Sequence, residues 1–312
     1  MRRHPILFST RSYAYLQERI LQQCDLEKGE VEVKRIPDGE RYQRIASEVD
    51  EREVVLLGGT TTDEDTLELY DLAGAMVKYG ARGMTLLVPY FAYSTMERAV
   101  RHGEVVTAKS RARLLSSIPL APNGNRIILM DLHSEGLNYY FEGGIVPTHL
   151  YAKPVILETI RELGGAQFVL ASTDAGRAKW VESLANDLGV DAGFVFKRRL
   201  SGNRTELRAM NAKVNGSHVI IYDDMIRTGG SLIQAAQAYL DAGATAITAI
   251  ATHGILPGDA GERLKESGLF QCVALTDTHP RGEELQDPFF RKVSVASIYA
   301  RFLREHYGGA NK

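Results

Sequence analysis

Cysteine is scarce in this sequence, and neither sign of charge is in excess. The 312 residues include two cysteines, Cys24 and Cys272, which lie too far apart to indicate a disulfide framework or a metal-ligand pair, as expected in a reducing compartment. Lysine and arginine total 37 and aspartate and glutamate 39, so the formal net charge is −2. A nucleic-acid-binding protein normally has a basic excess or a basic stripe. The charge balance therefore argues against a nucleic-acid partner.

Long hydrophobic runs are also missing. No stretch approaches the roughly 18 apolar residues of a membrane span, and the apolar run near Met1 is far too short for a secretory signal. We therefore expect no membrane partner and a cytoplasmic location. The chain also lacks the Walker phosphate-binding motif, the kinase glycine-rich loop and the Gly-x-Ser-x-Gly elbow. A nucleotide would need a different kind of pocket.

What the sequence does contain is an alternation of short apolar runs and helical patterns. Its 44% hydrophobic and 24% charged residues are typical of a globular protein, and its length predicts two domains. Strands are predicted at residues 53–57, 84–88, 126–130, 167–171, 218–222 and 246–251, and helices at residues 65–79, 107–116, 152–163, 175–188 and 231–242. This alternation predicts an α/β fold with mostly parallel sheets.

The two halves of the chain share a pattern of strand, helix, Gly-Ala and strand. Gly80-Ala81 in the first half corresponds to Gly243-Ala244, 163 residues later. Because this pattern is common in α/β proteins, it is only weak evidence of duplication. The glycine and proline residues of segment 142–154 indicate a domain boundary, so we predict domains at residues 1–147 and 148–297.

Two adjacent acids, Asp223 and Asp224, are the most informative feature of the chain. They follow the predicted strand 218–222 and precede a turn formed by Arg227, Thr228, Gly229, Gly230 and Ser231. Neighbouring carboxylates at a strand's C-terminal end can accept hydrogen bonds from vicinal ribose hydroxyls or face a hydrated Mg²⁺. The glycine turn and the start of the next helix can hold a phosphate. We therefore predict a sugar-phosphate site, since helix capping alone explains neither the second acid nor the threonine.

Three other segments carry candidate residues. His133 follows the strand predicted at 126–130, where it could bind a metal or phosphate oxygen or serve as a structural hydrogen-bonding group. Asp174 opens a helix and could bind a metal that bridges phosphate oxygens, although an ordinary N-cap has the same pattern. Lys197 and Arg199 lie in a polar stretch that predicts a flexible loop. Such a loop could neutralise charge on a transferring phosphoryl group, although most basic triplets are solvated surface.

In this order along the chain, the motifs resemble the ribose-phosphate diphosphokinases, also called phosphoribosyl pyrophosphate synthetases. The resemblance covers essentially the whole chain and rests on residues 35–40, 88–93, 107–109, 131–133, 173–174, 197–199 and 223–231. It implies two similar phosphoribosyltransferase-like domains, with the C-terminal segment 298–312 packing on the first. It also implies transfer of the β,γ-diphosphoryl group of ATP to the C1 hydroxyl of ribose 5-phosphate, with Mg²⁺ as cofactor.

The resemblance implies a role for each candidate residue. Asp223 and Asp224 would hold the ribose hydroxyls, residues 227–231 would surround the 5-phosphate, and Lys197 and Arg199 would form the catalytic basic loop. The Mg-ATP site would include His133 and Asp174, and the nucleotide segment would include Thr95, Met96, Glu97 and Arg98. A neighbouring chain would supply Asp38 and Glu40 to the adenine pocket. A dimer-based homo-oligomer, commonly a hexamer in the family, is therefore implied.

The chain departs from the family pattern mainly near the nucleotide. The family usually has Arg-Gln-Asp followed by basic residues where this chain has residues 95–99, and Ile36 replaces the aromatic residue that stacks on adenine. Arg227 stands where the family often has aspartate, and Arg177 replaces a small residue. A non-catalytic homologue that regulates a true synthetase therefore stays open as an alternative. A phosphoribosyltransferase is a third alternative, against which the length and the two-domain pattern argue.

Overall fold

The computed structural model describes residues 4–165, 167–199, 205–210 and 214–308. This part of the chain divides into two compact units. The first contains the described residues of Met1–Tyr151 and Ala296–Lys312, and the second contains those of Ala152–Val295.

Short strands alternate with helices along the chain. The strands are β1 (Ile6–Ser9), β2 (Glu27–Lys28), β3 (Val31–Arg35), β4 (Arg41–Ile45), β5 (Glu53–Leu57), β6 (Gly83–Val88), β7 (Asn125–Met130), β8 (Ile145–Leu150), β9 (Phe168–Ser172), β10 (Ala192–Gly193), β11 (Val195–Arg199), β12 (Thr205–Met210), β13 (His218–Ile226), β14 (Ala246–Gly254), β15 (Val273–Thr276) and β16 (Phe290–Val293). The helices are α1 (Ala14–Leu21), α2 (Asp63–Lys78), α3 (Thr107–Ser116), α4 (Lys153–Gly164), α5 (Ala178–Leu188), α6 (Gly230–Asp241), α7 (Ala260–Glu266), α8 (Arg281–Glu284) and α9 (Ala296–Tyr307).

Each unit contains a six-stranded parallel sheet of the same topology. The strand order is β2-β1-β5-β6-β7-β8 in the first unit and β10-β9-β13-β14-β15-β16 in the second. Each unit also has an antiparallel hairpin. Along the chain, hairpin β3–β4 comes before β5 in the first unit, and hairpin β11–β12 comes before β13 in the second. The predicted α/β class, with two similar domains and mostly parallel sheets, is confirmed.

The apolar composition of the central strands explains the parallel sheets. All six residues of β6 and all four of β15 are buried, including Thr85 and Thr276, so these strands are continuous buried runs rather than alternating ones. Such runs are typical of parallel sheets that are covered on both faces by helices. Each buried leucine, isoleucine or valine side chain contributes about 1.5–3 kcal/mol relative to an exposed one. Each unit has its own hydrophobic core, the first including Leu56 and Leu86 and the second Ile221 and Ile247.

Several predicted elements differ from the observed ones, including β14, which extends three residues beyond the predicted 246–251. The strand predicted at 218–222 continues to Ile226, because β13 pairs with β14 as far as Gly254. The helix predicted at 175–188 begins with a 3-10 turn, Ala175–Arg177, before α5. The stretch with Lys197 and Arg199 was predicted to be a flexible loop, and this is wrong: it forms β11, which pairs with β12.

Helix α9 belongs to the first unit. It packs on α1, and its Tyr307 hydroxyl lies 2.8 Å from Thr85 Oγ1 of β6. Within the described ranges, no helix combines the length and apolar character needed to cross a bilayer.

Candidate active site

The acidic pair of the second unit lies inside strand β13 and not beyond its end. Asp224 is buried and Asp223 is half-buried. The Thr173 hydroxyl donates to Asp223 Oδ2 over 2.8 Å, and the Asp224 backbone N–H donates to Asp223 Oδ1 over 2.9 Å. The Arg177 guanidinium forms an ion pair with Asp224 Oδ2. The tertiary structure therefore ties the pair to the segment that follows β9.

The two carboxyl groups of the pair do not ionise alike. Burial and, after it, the neighbouring Asp224 carboxyl group raise the pKa of Asp223 to about 8, against the opposing effects of Thr173 and Arg177. Adjacent carboxyls with a raised pKa share their ionisation, because the second negative charge is unfavourable beside the first. Near pH 7 the pair therefore carries mainly one negative charge. It can donate one hydrogen bond and accept others, which suits a vicinal diol.

The turn after β13 leads into a helix start whose geometry favours an anion. Gly229 has φ 77°, and a Cβ there would lie 2.9 Å from Leu264 Cδ2, so the position requires glycine. Helix α6 begins at Gly230 with no acidic residue in its first turn. The first N–H groups of a helix have no intrahelical acceptor, and the helix dipole favours an anion there. Thr228 and Ser231 are exposed beside them.

The corresponding helix of the first unit does not offer the same site. Helix α2 follows β5, which has the place in its sheet that β13 has in the second. The Thr62 side chain caps α2 by accepting the Asp65 N–H over 3.0 Å, and the first turn contains Asp63, Glu64 and Asp65. Three carboxylates at a helix N-terminus disfavour a phosphate. Of these two helix starts, only that of α6 suits a sugar phosphate.

Asp174 lies in the loop that joins β9 to α5. Its exposed carboxylate accepts the Gly176 N–H over 2.8 Å through Oδ1, and its backbone carbonyl accepts the Ser172 hydroxyl over 2.7 Å. Strands β9 and β13 are parallel neighbours with Tyr222 opposite Ser172. The loops after both strands therefore begin at the same edge of the sheet.

The basic candidates lie on the second unit's hairpin. Arg199 is the last residue of β11 and pairs with Thr205 of β12. The backbone of Lys197 lies in the same strand, opposite Leu207. The side chains of Lys197 and Arg199 are outside the described part of the chain, so their predicted catalytic role stays a prediction.

In the first unit, a strained turn follows β7. Asp131 is buried with φ 39°, a left-handed conformation that is unfavourable for a residue other than glycine. Its N–H donates to the Leu150 carbonyl over 3.1 Å, and the Leu132 N–H donates to His149 Nε2 over 3.0 Å. Both acceptors belong to β8. His133 follows directly and is half-buried, so β8 sets the backbone that carries it.

His149 was missed by the sequence analysis. Its Nε2 accepts a hydrogen bond, so the ring is neutral with the proton on Nδ1. Burial lowers the pKa of His149, although the Glu135 carboxylate opposes this. Its ring lies 4.3 Å from that of Tyr151, whose hydroxyl donates to Glu135 Oε1 over 3.0 Å. The position of His149 near the end of the run 145–150 is a weak sequence signal of a functional residue. Its pairing opposite Leu129 cannot be inferred from the sequence.

The predicted nucleotide segment lies between β6 and α3. Thr95, Met96 and Arg98 are exposed, and Glu97 is half-buried. The Tyr140 hydroxyl donates to the Glu97 carbonyl, which joins this segment to the 3-10 turn Glu135–Tyr140 that follows His133. The structure therefore joins these two predicted nucleotide segments in the first unit.

The other predicted nucleotide residues lie in the turn of the β3–β4 hairpin. Asp38 and Glu40 are exposed, and Asp38 Oδ1 accepts the Glu40 N–H over 3.0 Å. Ile36 begins this turn with 42% of its surface exposed. An exposed apolar side chain between charged ones is a feature that contact with another chain could cover.

No group of three or more His, Cys, Asp or Glu side chains is arranged to hold a metal within the ranges that the structure describes. His133 belongs to the first unit and Asp174 to the second. This does not conflict with Mg²⁺, which is usually bound through one or two carboxylates together with substrate phosphates and water. The exposed carboxylate of Asp174 fits that mode.

The parallel α/β sheet, with an acidic pair before a glycine turn and a helix start that no side chain caps, is consistent with the phosphoribosyltransferase class of folds. Residues 5–118 match the model of the N-terminal domain of ribose phosphate pyrophosphokinase, and residues 203–310 match that of the phosphoribosyl synthetase-associated domain. The chain belongs to the ribose-phosphate pyrophosphokinase family. It is an enzyme family, and the predicted resemblance is confirmed.

Individual relatives support this over nearly the full length. The chain is 33% identical to the ribose-phosphate pyrophosphokinase of Caldanaerobacter subterraneus subsp. tengcongensis, covering 97% of this chain and 95% of that one. It is 32% identical to that of Methanopyrus kandleri, covering 97% and 100%. The crystal structure of phosphoribosylpyrophosphate synthetase from Mycobacterium smegmatis has a TM-score of 0.86 at 25% identity, covering 99% of this chain and 100% of that one.

Proposed function

We propose that this chain transfers the β,γ-diphosphoryl group of ATP to the C1 hydroxyl of ribose 5-phosphate. The C1 oxygen forms a bond to the β-phosphorus, and the bond from that phosphorus to the oxygen of AMP breaks. AMP leaves with the electron pair, and the proton of the C1 hydroxyl passes to solvent water. The observation that carries the proposal is the acidic pair Asp223-Asp224 directly before the free start of helix α6.

The second unit supplies the sugar site in this proposal. The carboxyl groups of Asp223 and Asp224 bind the ribose hydroxyls, one as a donor and both as acceptors. Thr228, Gly230 and Ser231 hold the 5-phosphate through hydroxyl and backbone N–H groups. Gly229 permits the turn, and Arg227 adds a positive charge beside it.

The nucleotide is assigned to the segments that the structure joins in the first unit. His133, Thr95, Met96, Glu97 and Arg98 contact it in this proposal. Asp174 and His133 would hold Mg²⁺ together with the nucleotide phosphates, and the ion would supply positive charge that neutralises the phosphate oxygens.

Two further residues complete the base pocket from another copy of the chain. The exposed turn with Asp38 and Glu40 supports an assignment to a neighbouring protomer, and we therefore propose a homo-oligomer built from dimers. The separate, free cysteines Cys24 and Cys272 fit a reducing compartment, and a cytoplasmic location is proposed on that ground.

Lys197 and Arg199 are proposed as the catalytic cations. Phosphoryl transfer requires in-line positioning and neutralisation of charge on the transferring group more than an internal nucleophile. Lys197 and Arg199 are two residues apart in the same strand, β11.

A regulatory homologue without activity is the second candidate. The exposed Thr95 and Met96, where basic and amide residues are usual in the family, favour weak or altered nucleotide binding. The two candidates differ in product formation. Purified protein incubated with ribose 5-phosphate, Mg²⁺ and each nucleoside triphosphate should release a nucleoside monophosphate and phosphoribosyl diphosphate. If no triphosphate yields a monophosphate, the chain is not a synthetase.

Two variants test the residue assignments. Lys197→Ala should abolish turnover and leave ribose 5-phosphate affinity largely intact, while the exposed Lys179→Ala serves as the matched control. Asp224→Asn should weaken ribose 5-phosphate binding. An unchanged sugar affinity in Asp224→Asn, or equal loss of turnover and sugar binding in Lys197→Ala, would count against these assignments.

A further inference from the structure

Arg177 is the cation that meets the acidic pair directly. It ends the 3-10 turn after β9, and its guanidinium pairs with Asp224 Oδ2. The Arg177 side chain is 20% exposed and that of Asp224 7%, so water screens this ion pair poorly. Burial in this position strengthens the mutual attraction and makes it costly to separate the partners.

The other oxygens of the pair are also engaged. Asp223 Oδ1 accepts the Asp224 N–H, and Asp223 Oδ2 accepts the Thr173 hydroxyl. At least three of the four carboxyl oxygens therefore already have a partner within the unit. The raised pKa of Asp223 leaves about one negative charge on the pair near neutral pH, which the single positive charge of Arg177 balances.

Two adjacent carboxylates beside a phosphate-binding turn would otherwise be a natural ligand set for a divalent cation, which prefers hard oxygen ligands. A second cation at the same oxygens would be repelled by the guanidinium, at a distance too short for salt to screen. We propose that the Arg177 guanidinium takes the place of a divalent cation at the Asp223-Asp224 pair. Divalent metal then binds in the active site only together with the nucleotide phosphates. The sugar contacts carboxyl groups whose negative charge Arg177 already balances.

The role of Arg177 rests on the proposed sugar site, but its effect on metal binding is tested without sugar or nucleotide. Mn²⁺, used as a spectroscopic substitute for Mg²⁺, is titrated into the full-length protein, and free Mn²⁺ is measured by electron paramagnetic resonance. The variants are Asp224→Asn, Arg177→Ala, and Arg177→Ala combined with Asp224→Asn. Lys179→Ala removes an exposed positive charge two residues away and is the matched control. Arg177→Gln serves as a second uncharged variant where Arg177→Ala does not fold.

The expected result is that the wild type, Asp224→Asn and Lys179→Ala bind Mn²⁺ alike. Arg177→Ala or Arg177→Gln should gain one site with an affinity at least about tenfold higher, because the repelling charge is gone. The double variant should lose that site, which locates it at Asp224. The inference is overturned if Asp224→Asn weakens Mn²⁺ binding in the wild type, or if removing the Arg177 charge gains no site. Neither result would affect diphosphoryl transfer, which product formation tests separately.

Discussion

Replacing His149 tests how the first unit holds its strained turn. His149→Leu keeps a side chain of apolar bulk but removes the acceptor of the Leu132 N–H. That bond, together with the one from the Asp131 N–H to the Leu150 carbonyl, ties this turn to β8. We therefore expect the substitution to act on stability and on the position of His133 together.

The magnitude follows from burial. Leu132 is 6% exposed, so its N–H cannot find a water in place of the lost acceptor without opening the turn. A buried donor left without a partner costs about 1–3 kcal/mol. The left-handed conformation of Asp131, φ 39°, stores a further strain of about 1–3 kcal/mol that the same bonds hold in place. Relaxation of this strain would move the His133 backbone.

The assay combines urea denaturation with steady-state kinetics. His149→Leu should lower the free energy of unfolding by about 1–3 kcal/mol and raise KM for the nucleotide while KM for ribose 5-phosphate changes little. His149→Gln places an amide oxygen as far from the backbone as Nε2 and should restore most of both losses. Rescue by glutamine separates the hydrogen bond from the imidazole ring itself.

The pH dependence gives an independent check. Burial lowers the pKa of His149, so the folded protein binds fewer protons here than the unfolded chain, in which histidine titrates near pH ~6.5. Stability from this group is therefore complete above that pH and declines as pH falls below it. His149→Leu should lose the part of the decline that His149 contributes, while His218 and His306, whose pKa burial also lowers, keep their own parts. The reasoning is refuted if His149→Leu changes neither unfolding free energy nor nucleotide KM, or if glutamine rescues nothing.

Three further outcomes are expected. Gly229→Ala should destabilise the protein by about 1–3 kcal/mol, because φ is 77° at this position, and should raise KM for ribose 5-phosphate. The control is Gly230→Ala, whose Cβ would meet nothing closer than 4.0 Å. It should leave the urea midpoint nearly unchanged. Tyr307→Phe removes the hydroxyl that lies 2.8 Å from Thr85 Oγ1 and should cost about 1 kcal/mol in thermal or urea unfolding; no change would show that the contact is not formed in solution. The pKa of Asp223 is raised to about 8, so the folded state holds a proton that the unfolded chain releases near pH ~4. Its contribution to stability should decline as pH rises from 4 to 8, and Asp223→Asn should flatten that part of the unfolding profile.

The fold class was predictable because its signals are local. Strands β5, β6 and β7 contain the mainly apolar buried runs 54–57, 83–88 and 127–130, which are typical of parallel strands, and the helix predicted at 107–116 is α3. The hairpin β11–β12 was mistaken for a loop, since the polar Lys197 and Arg199 interrupt any apolar pattern there. Strand identity in a two-stranded hairpin comes from its partner strand, which no local pattern reveals.

The residues of the candidate site likewise divide into those that a local sequence pattern predicts and those that only the fold brings together. The sequence alone determined the acidic pair, its glycine turn and the start of α6, because residues 223–231 are contiguous and their chemistry follows from their order. Only the tertiary structure decided that Thr173 and Arg177 meet the pair and that His149 accepts the Leu132 N–H. These contacts join segments 50 residues apart for Thr173 and Asp223 and 17 apart for Leu132 and His149. Their register is set by how strands pack into a common sheet, which is a property of the whole unit and not of any one segment.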